Sequence, residues 1–477
     1  MELIKPMKPW LERRYEVVSD RADLYAYFFE RGVKLLKPGG RLGFISSNTF
    51  FKTGSGAPLR DFLRTNATLE TVVDFGDHQI FEGVTTYPAI LTMRAGPPQS
   101  GHHLRFWKVG EMPADSFADA FAVAAEPFPQ EALSQGSWNL EGDALRALRT
   151  KITAGRPTLK EAYGSPLYGI KTGLNEAFVI DTPTKERLCR DDPRSAELLK
   201  PFLEGKDVKR WRAESRGLWI IYIPKNRVCI EDYTAIRDWL LPYKDKLEKR
   251  ATKQEWFELQ QAQEAYAARF SRPKITYSRF LANPAFWLDE NGRYINNALF
   301  SLPSNDPVLL AILNSPVCWF HLKSQSTNLS GGFSQADAED LQSLAIPAVD
   351  EAQRDFIEEL VLGTQKAAQE RHDLQNALTR RIPDLAIDPA TARLNSRLKA
   401  WWDFPHFAAF QIEAKKAMQG RIPLEERNDW ENWFTSSRAK IHSLTAEIAR
   451  LEAAINAQVF SLFDLNPGEI ALLETNV

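Results

Sequence analysis

Lys37-Pro38-Gly39-Gly40-Arg41 is the stretch that most restricts how this chain can fold. Upstream of it Leu24, Phe28, Val33, Leu35 and Leu36 recur at roughly helical spacing, and a Pro-Gly-Gly cannot continue a helix, so a helix ends there. Downstream, Arg41 to Ile45 is a short apolar run bounded by turn residues, the pattern of a strand buried on both faces in a parallel sheet. Two more strand-like runs follow, Leu69 to Phe75 and Tyr87 to Arg94, with a helical segment from Ala57 to Arg64 before the first. The reading is α/β: the closing half of an open sheet.

The rest of the chain divides by pattern. Residues 101–159 are rich in Gly, Pro, Ser and Ala and poor in periodicity apart from Leu140 to Ile152, which reads as a linker after a first domain over 1–100. Residues 160–347 alternate strand-like runs (Trp219 to Ile223, Lys274 to Tyr277) with amphipathic segments (Tyr233 to Arg250, Glu255 to Arg269, Pro307 to Leu322), a mixed α/β domain. Residues 348–477 read as a helical tail: Glu351 to Thr379, a Trp-rich stretch, then Trp433 to Phe463. In that last segment Ile441, Leu444, Ile448, Leu451 and Ile455 step by three and four like a coiled-coil seam, which requires a partner helix in the same chain or another.

With 477 residues, 44% hydrophobic and 26% charged, the chain is long enough for two or three cores. No apolar run reaches membrane-spanning length and no basic-then-apolar-then-small-residue pattern opens it, so neither a membrane span nor a signal peptide is expected. Cys189, Cys229 and Cys318 are far apart and form no metal-binding spacing, which fits a reducing cytoplasm. A net charge of -2 gives no global sign of nucleic-acid binding, although Lys200 to Arg212 is locally basic.

Asp23-Leu24-Tyr25 with Phe28, then Leu35-Leu36-Lys37-Pro38-Gly39-Gly40-Arg41-Leu42-Gly43-Phe44-Ile45, Ser47-Asn48-Thr49-Phe50 and Phe81-Glu82-Gly83-Val84-Thr85-Thr86-Tyr87 carry a resemblance. They resemble the later motifs of adenine-specific DNA methyltransferases of the TaqI-like, type IIG restriction–modification kind. Tyr168-Gly169-Ile170-Lys171-Thr172-Gly173-Leu174-Asn175 is similar to the opening of that family's target-recognition domain. The resemblance runs to about Pro347 and, more weakly, into the tail. It implies a Rossmann-like methyltransferase sheet present as its C-terminal half, a target-recognition domain over 160–347, S-adenosylmethionine as methyl donor and double-stranded DNA as partner.

Two family features have no counterpart here: the early Gly-rich turn that holds the cofactor, and the Asn-Pro-Pro-Tyr motif. Gly54-Ser55-Gly56 follows the wrong strand, and Asn283-Pro284 is followed by Ala. Because a segment like Glu2 to Pro9 follows that motif in the family, Met1 is expected just downstream of the catalytic tetrapeptide. Most of the cofactor site is then expected on an upstream polypeptide.

Methylating a base in a duplex requires extruding it, so an aromatic face must replace the lost stacking. The resemblance implies that Phe81 stacks on the flipped adenine; on physical grounds alone an apolar residue at a loop–strand junction is core. It implies likewise that Phe28 contacts the cofactor's adenine moiety, against the plain reading of a core helix residue. Asn48, at a strand end, either lines the ligand cleft or serves turn chemistry. In the recognition region Lys171, Thr172 and Asn175 sit between glycines, where Lys to phosphate and Asn to an adenine edge are sensible contacts, as is a purely structural turn. Arg272, Lys274 and Arg279 flank a strand as candidate phosphate contacts, and the polar loop Ser324 to Phe333, including Asn328, resembles loops of specificity subunits.

Two functions follow. In one, the chain is the carboxyl-terminal portion of a site-specific adenine methyltransferase that needs an upstream half for catalysis. In the other it is a truncated, inactive DNA-binding or interaction module. Without its first strands, the edge beside Arg41 to Ile45 is expected to stand unpaired.

Overall fold

The computed structural model describes residues 5–19, 23–76, 78–83, 86–133, 135–328, 333–388 and 392–477. Helix α1 (Leu24–Leu35) starts at an Asp23 cap and buries Ala26, Tyr27, Phe29, Glu30 and Val33. The buried Glu30 carboxylate accepts the backbone N–H groups of Glu16 and Val17 and pairs with Lys34, so the helix is tied to the segment before it. Gly39, at φ 73°, makes the turn that only glycine takes without strain, and strand β1 (Arg41–Ser47) follows.

Helix α2 (Ala57–Asn66), β2 (Ala67–Asp74), β3 (Pro88–Ala95), β4 (His103–Lys108) and β5 (Glu126–Pro129) complete a five-stranded sheet of order β1-β3-β2-β4-β5. β3 runs antiparallel to β1 and β2, while β2 and β4 are parallel, so β1, β2 and β4 point the same way. Two expectations are corrected. β1 is not buried on both faces within a parallel ladder: among the described residues its one strand neighbour is the antiparallel β3, and Arg41, Gly43 and Ile45 face outward. Nor are residues 101–159 a linker throughout. β4 and β5 extend the sheet, and Leu104, Phe106, Phe128 and Trp138 share the core of α1 and α2. Short strands interrupted by Pro127 and Pro129 leave no alternation to read.

After α3 (Asp143–Thr153) the second region builds two four-stranded sheets. One joins β7 (Val179–Asp181), β8 (Leu199–Leu203), β9 (Leu218–Ile221) and β12 (Tyr294–Ile295). The other joins β6 (Leu167–Tyr168), β10 (Lys274–Ser278), β11 (Phe286–Asp289) and β13 (Leu299–Leu302). Glu255 to Arg269 holds no α-helix, only a 3-10 turn at Ala267–Arg269. Its backbone is claimed by side chains instead. Glu258 accepts the N–H groups of Asn226 and Glu255, and the Arg250 guanidinium donates to the carbonyls of Glu255, Trp256 and Glu258. The segment expected as one helix from Pro307 to Leu322 is two, α4 (Pro307–Leu313) and α5 (Pro316–Gln325). Ser315 caps the second by accepting the Cys318 N–H, and Pro316 fits its first turn.

The tail is a hairpin of two long helices, α6 (Glu351–Thr379) and α7 (Arg427–Leu462). The partner for the α7 seam is therefore in the same chain: Leu444, Ile448, Leu451 and Ile455 pack in one cluster with Ile357, Leu360, Val361, Ala367 and Ala368. That cluster also contains α4 and α5, and Glu452 of α7 accepts from both Arg210 and the Trp211 indole. At the hairpin's far end Trp401, Phe407, Phe410 and Phe434 form a separate aromatic core. Deleting side-chain volume at Ile455, buried in the seam, is expected to cost about 2–5 kcal/mol, whereas Leu424→Ala at an 82% exposed site should stay within about 0.5 kcal/mol. Chemical denaturation of Ile455→Ala and Leu424→Ala checks both.

Candidate functional site

The carboxyl ends of β1, β2 and β4 open onto a cleft of about 530 Å³, the place where open α/β sheets put ligands. Asn48, Asp74 and Lys108 come from those strand ends, and Phe320, Lys323 and Ser324 of α5 form part of the facing wall. Asn48 donates from Nδ2 to Asp74 Oδ1 at 2.7 Å, and its backbone N–H donates to the Tyr87 carbonyl, so the ends of β1 and β2 are fastened to each other and to the start of β3. Tyr25 of α1 lies 3.3 Å from the Thr49 hydroxyl, tying the Asp-Leu-Tyr motif to the same turn.

The turn's shape depends on Arg60 of α2. Its guanidinium is buried and donates to the carbonyls of Phe50, Thr53 and Gln135, and burial pushes its pKa down to about 10. Gly56 is required here, since a Cβ would stand 2.4 Å from the Phe50 carbonyl oxygen. Lys52, carried by this turn, donates from Nζ to the carbonyls of Lys323 at 2.8 Å and Ser326 at 3.4 Å. On the other side Arg149 of α3 is bidentate on Glu141, both contacts at 2.8 Å, and lies over the Phe320 ring. Below the wall, His321 faces the Asp340 carbonyl at 2.9 Å, and burial pushes its pKa down to about 4. Asp340 is raised to about 6, mainly by its own burial.

Of the residues singled out from sequence, Asn48 and Ser324 meet in this cleft. Phe81 is 43% exposed on the β2–β3 loop, which leaves the same sheet edge. Phe28 is 57% exposed on the outer side of α1, which overturns a core role for it. Lys171 is exposed, its backbone paired with Gln261, while Thr172 is buried with its hydroxyl donating to Asn175 Oδ1. Gly169 does permit a close approach, but to the chain itself: a Cβ there would stand 2.0 Å from the Asn296 carbonyl oxygen.

Lys274 as a phosphate contact is corrected. It is 1% exposed, and its ammonium is held between the Asp289 carboxylate and the Phe270 carbonyl, out of reach of any phosphate. Arg279 is bidentate on Asp337 at 2.6 and 3.0 Å. The Asn328 backbone pairs with Ser334; its side chain and residues 329–332 lie outside the described residues. Lys52, Arg60 and Arg149 were not found by sequence reasoning, because a lone basic residue among aromatics carries no spacing signal.

A sheet whose strand ends face a second mixed α/β body across a cleft defines a two-part architecture. The comparisons with known proteins agree. Residues 2–81 match the Eco57I restriction-modification methylase family, residues 200–346 the TaqI-like C-terminal specificity domain, and residues 350–459 a domain of unknown function (DUF8810). The chain is 27% identical to the type II methyltransferase M.XhoI of Xanthomonas vasicola over 70% of its own length and 64% of that protein's. It is 26% identical to the type II methyltransferase M.PaeR7I of Pseudomonas aeruginosa, over 72% of this chain and 61% of that one. The fold is like that of the type IIL restriction-modification enzyme MmeI, solved in complex with DNA, with TM-score 0.53 and 12% identity over 96% of this chain and 55% of that one. The chain thus spans less than two thirds of the length of these relatives. It resembles the carboxyl-terminal portion of type II restriction–modification methyltransferases, with a methylase segment followed by a specificity domain.

The position of His321 sets a pH dependence. The unfolded chain protonates it near pH 6.5, the folded chain only near 4, so its contribution is complete above 6.5 and is lost as pH falls through that window. The loss amounts to roughly 3 kcal/mol. His321→Gln, which keeps a donor toward Asp340, should flatten the fall in melting temperature between pH 7 and 4.5.

Proposed function

We propose that this chain is part of a site-specific DNA methyltransferase of a restriction–modification system that moves a methyl group from S-adenosylmethionine to the exocyclic amino group of adenine. Its share is base stacking and target recognition. The observation that carries the reading is the cleft between the strand ends at Asn48 and Asp74 and the specificity region, with Phe81 exposed on the loop at the same edge. An extruded base needs an aromatic face within reach and a wall to hold its edge, and an exposed Phe81 beside a walled cleft supports that reading.

S-adenosylmethionine supplies an activated methyl group for direct displacement. Toward that cofactor the described residues offer one fitting element, the outward ring of Phe28, which would hold its adenine moiety by stacking. On the same side of α1, Leu24 and Leu35 are exposed, and Ile45 is exposed on β1 beside the strand edge that has no partner among the described residues. Apolar surface beside an open edge is what a further set of strands would cover. Methyl transfer is proposed only together with an upstream half that supplies such strands, the Asn-Pro-Pro-Tyr motif and most of the cofactor site.

Toward DNA the exposed candidates are Lys171, Asn175 and Arg272, with Lys171 and Arg272 suited to phosphates. The full chain should bind a duplex at low salt and lose affinity steeply as salt rises; binding indifferent to salt would remove DNA as its partner. In an enzyme reconstituted with the upstream half, Phe81→Ala should lower methyl transfer about 10- to 100-fold, the worth of one stacking face. The melting temperature should hardly move, since Phe81 is already half exposed. Equal loss of activity and stability would return Phe81 to the core.

A further inference from the structure

We propose that Lys52 is the positioning residue that sets the width of the cleft, by clamping the β1–β5 sheet onto the carboxyl end of α5. Helix α5 is the buried centre of the second region, contributing Val317, Cys318, Trp319, Phe320 and Leu322 to its core. The last carbonyls of a helix have no partner within it and carry the negative end of its dipole. Lys323 and Ser326 present two such oxygens to the cleft, and the Lys52 ammonium donates to both from 271 and 274 residues away. Among the described residues, these are the hydrogen bonds that join residues 5–137 to the body beyond residue 160.

The turn that carries Lys52 is itself held rigid by Arg60, so movement of α5 relative to the sheet has to break the Lys52 contacts. The clamp therefore connects the strand ends to the specificity region. It rests on the proposed function only for why cleft width matters to the chain.

Titration gives the clamp a signature. Burial and the like charges of Lys108 and Arg149 lower the Lys52 pKa to about 8, against the opposing pull of Asp74 and Asp340. A released Lys52 protonates near 10.5. Between those values the open arrangement binds more protons than the closed one, so rising pH favours closure. The neutral amine keeps two N–H donors, enough for both carbonyls.

The test uses electron–electron distance measurements on the full chain, spin-labelled at the exposed Cys229 and at an introduced Glu111→Cys, with Cys189→Ser to remove a competing thiol. The parent should give one narrow distance at pH 7. Lys52→Met, which keeps the stem and loses the donors, should broaden it or add a second population, and Lys52→Arg should restore the single distance. A narrow parental distance in Lys52→Met overturns the proposal. The parent in a urea concentration that half-opens it at pH 7 decides independently of whether that variant folds: the closed fraction should rise as pH increases from 8 to about 10. A closed fraction that is flat or falls across that range overturns the proposal.

Discussion

Three backbone carbonyls converge on one guanidinium, and the geometry of the cleft depends on it. A strand that ends at a ligand site leaves polar backbone groups pointing into the protein, and each must find a partner or cost several kilocalories. Arg60 answers that requirement for the turn after β1, taking the carbonyls of Phe50, Thr53 and Gln135 while buried itself. With the turn fixed, Asn48 is aimed at Asp74 and Lys52 at the end of α5. Phe51 stacks on Trp138, so the segment after β5 is drawn into the same arrangement.

The second region spends several of its basic residues internally. Lys274 neutralises Asp289, Arg279 takes Asp337, Arg216 takes Asp207 and Glu204, and Arg250 is consumed by carbonyls. In each case a basic side chain that composition alone would count toward a DNA-binding surface is held by partners within the chain. A buried pair of this kind contributes little net stability, yet removing one partner leaves the other uncompensated.

What could be read from the sequence was whatever has a period or a breaker. The α1–turn–β1 unit, the two strands after it, the α6 and α7 helices and the Ile441 to Ile455 seam repeat at 2 or 3.6 residues, and the structure contains them near the expected bounds. What could not be read depended on contacts distant in sequence. β4 joins the sheet through β2, as in Thr71 with Arg105, and β5 through β4, as in His103 with Pro129, Glu258 dissolves an amphipathic segment into loop, and Lys274 is buried by a carboxylate on the neighbouring strand. The site divides the same way. Asn48 could be placed by motif, whereas Arg60 acquires meaning only when Phe50, Thr53 and Gln135 come together, and Lys52 only when the two bodies are side by side.

The hydrophobic cluster that unites α4 and α5 with the seam of α6 and α7 has a consequence for modularity. A specificity domain is commonly pictured as a cassette that could be exchanged between enzymes. Here the interior of that cassette is completed by the helical hairpin that follows it, with Trp211 and Arg210 both anchored on Glu452. A graft that ended near residue 347 would expose the inner faces of α4 and α5 to water. In this architecture a unit that is to fold after transplantation has to include the hairpin, because the two share one core.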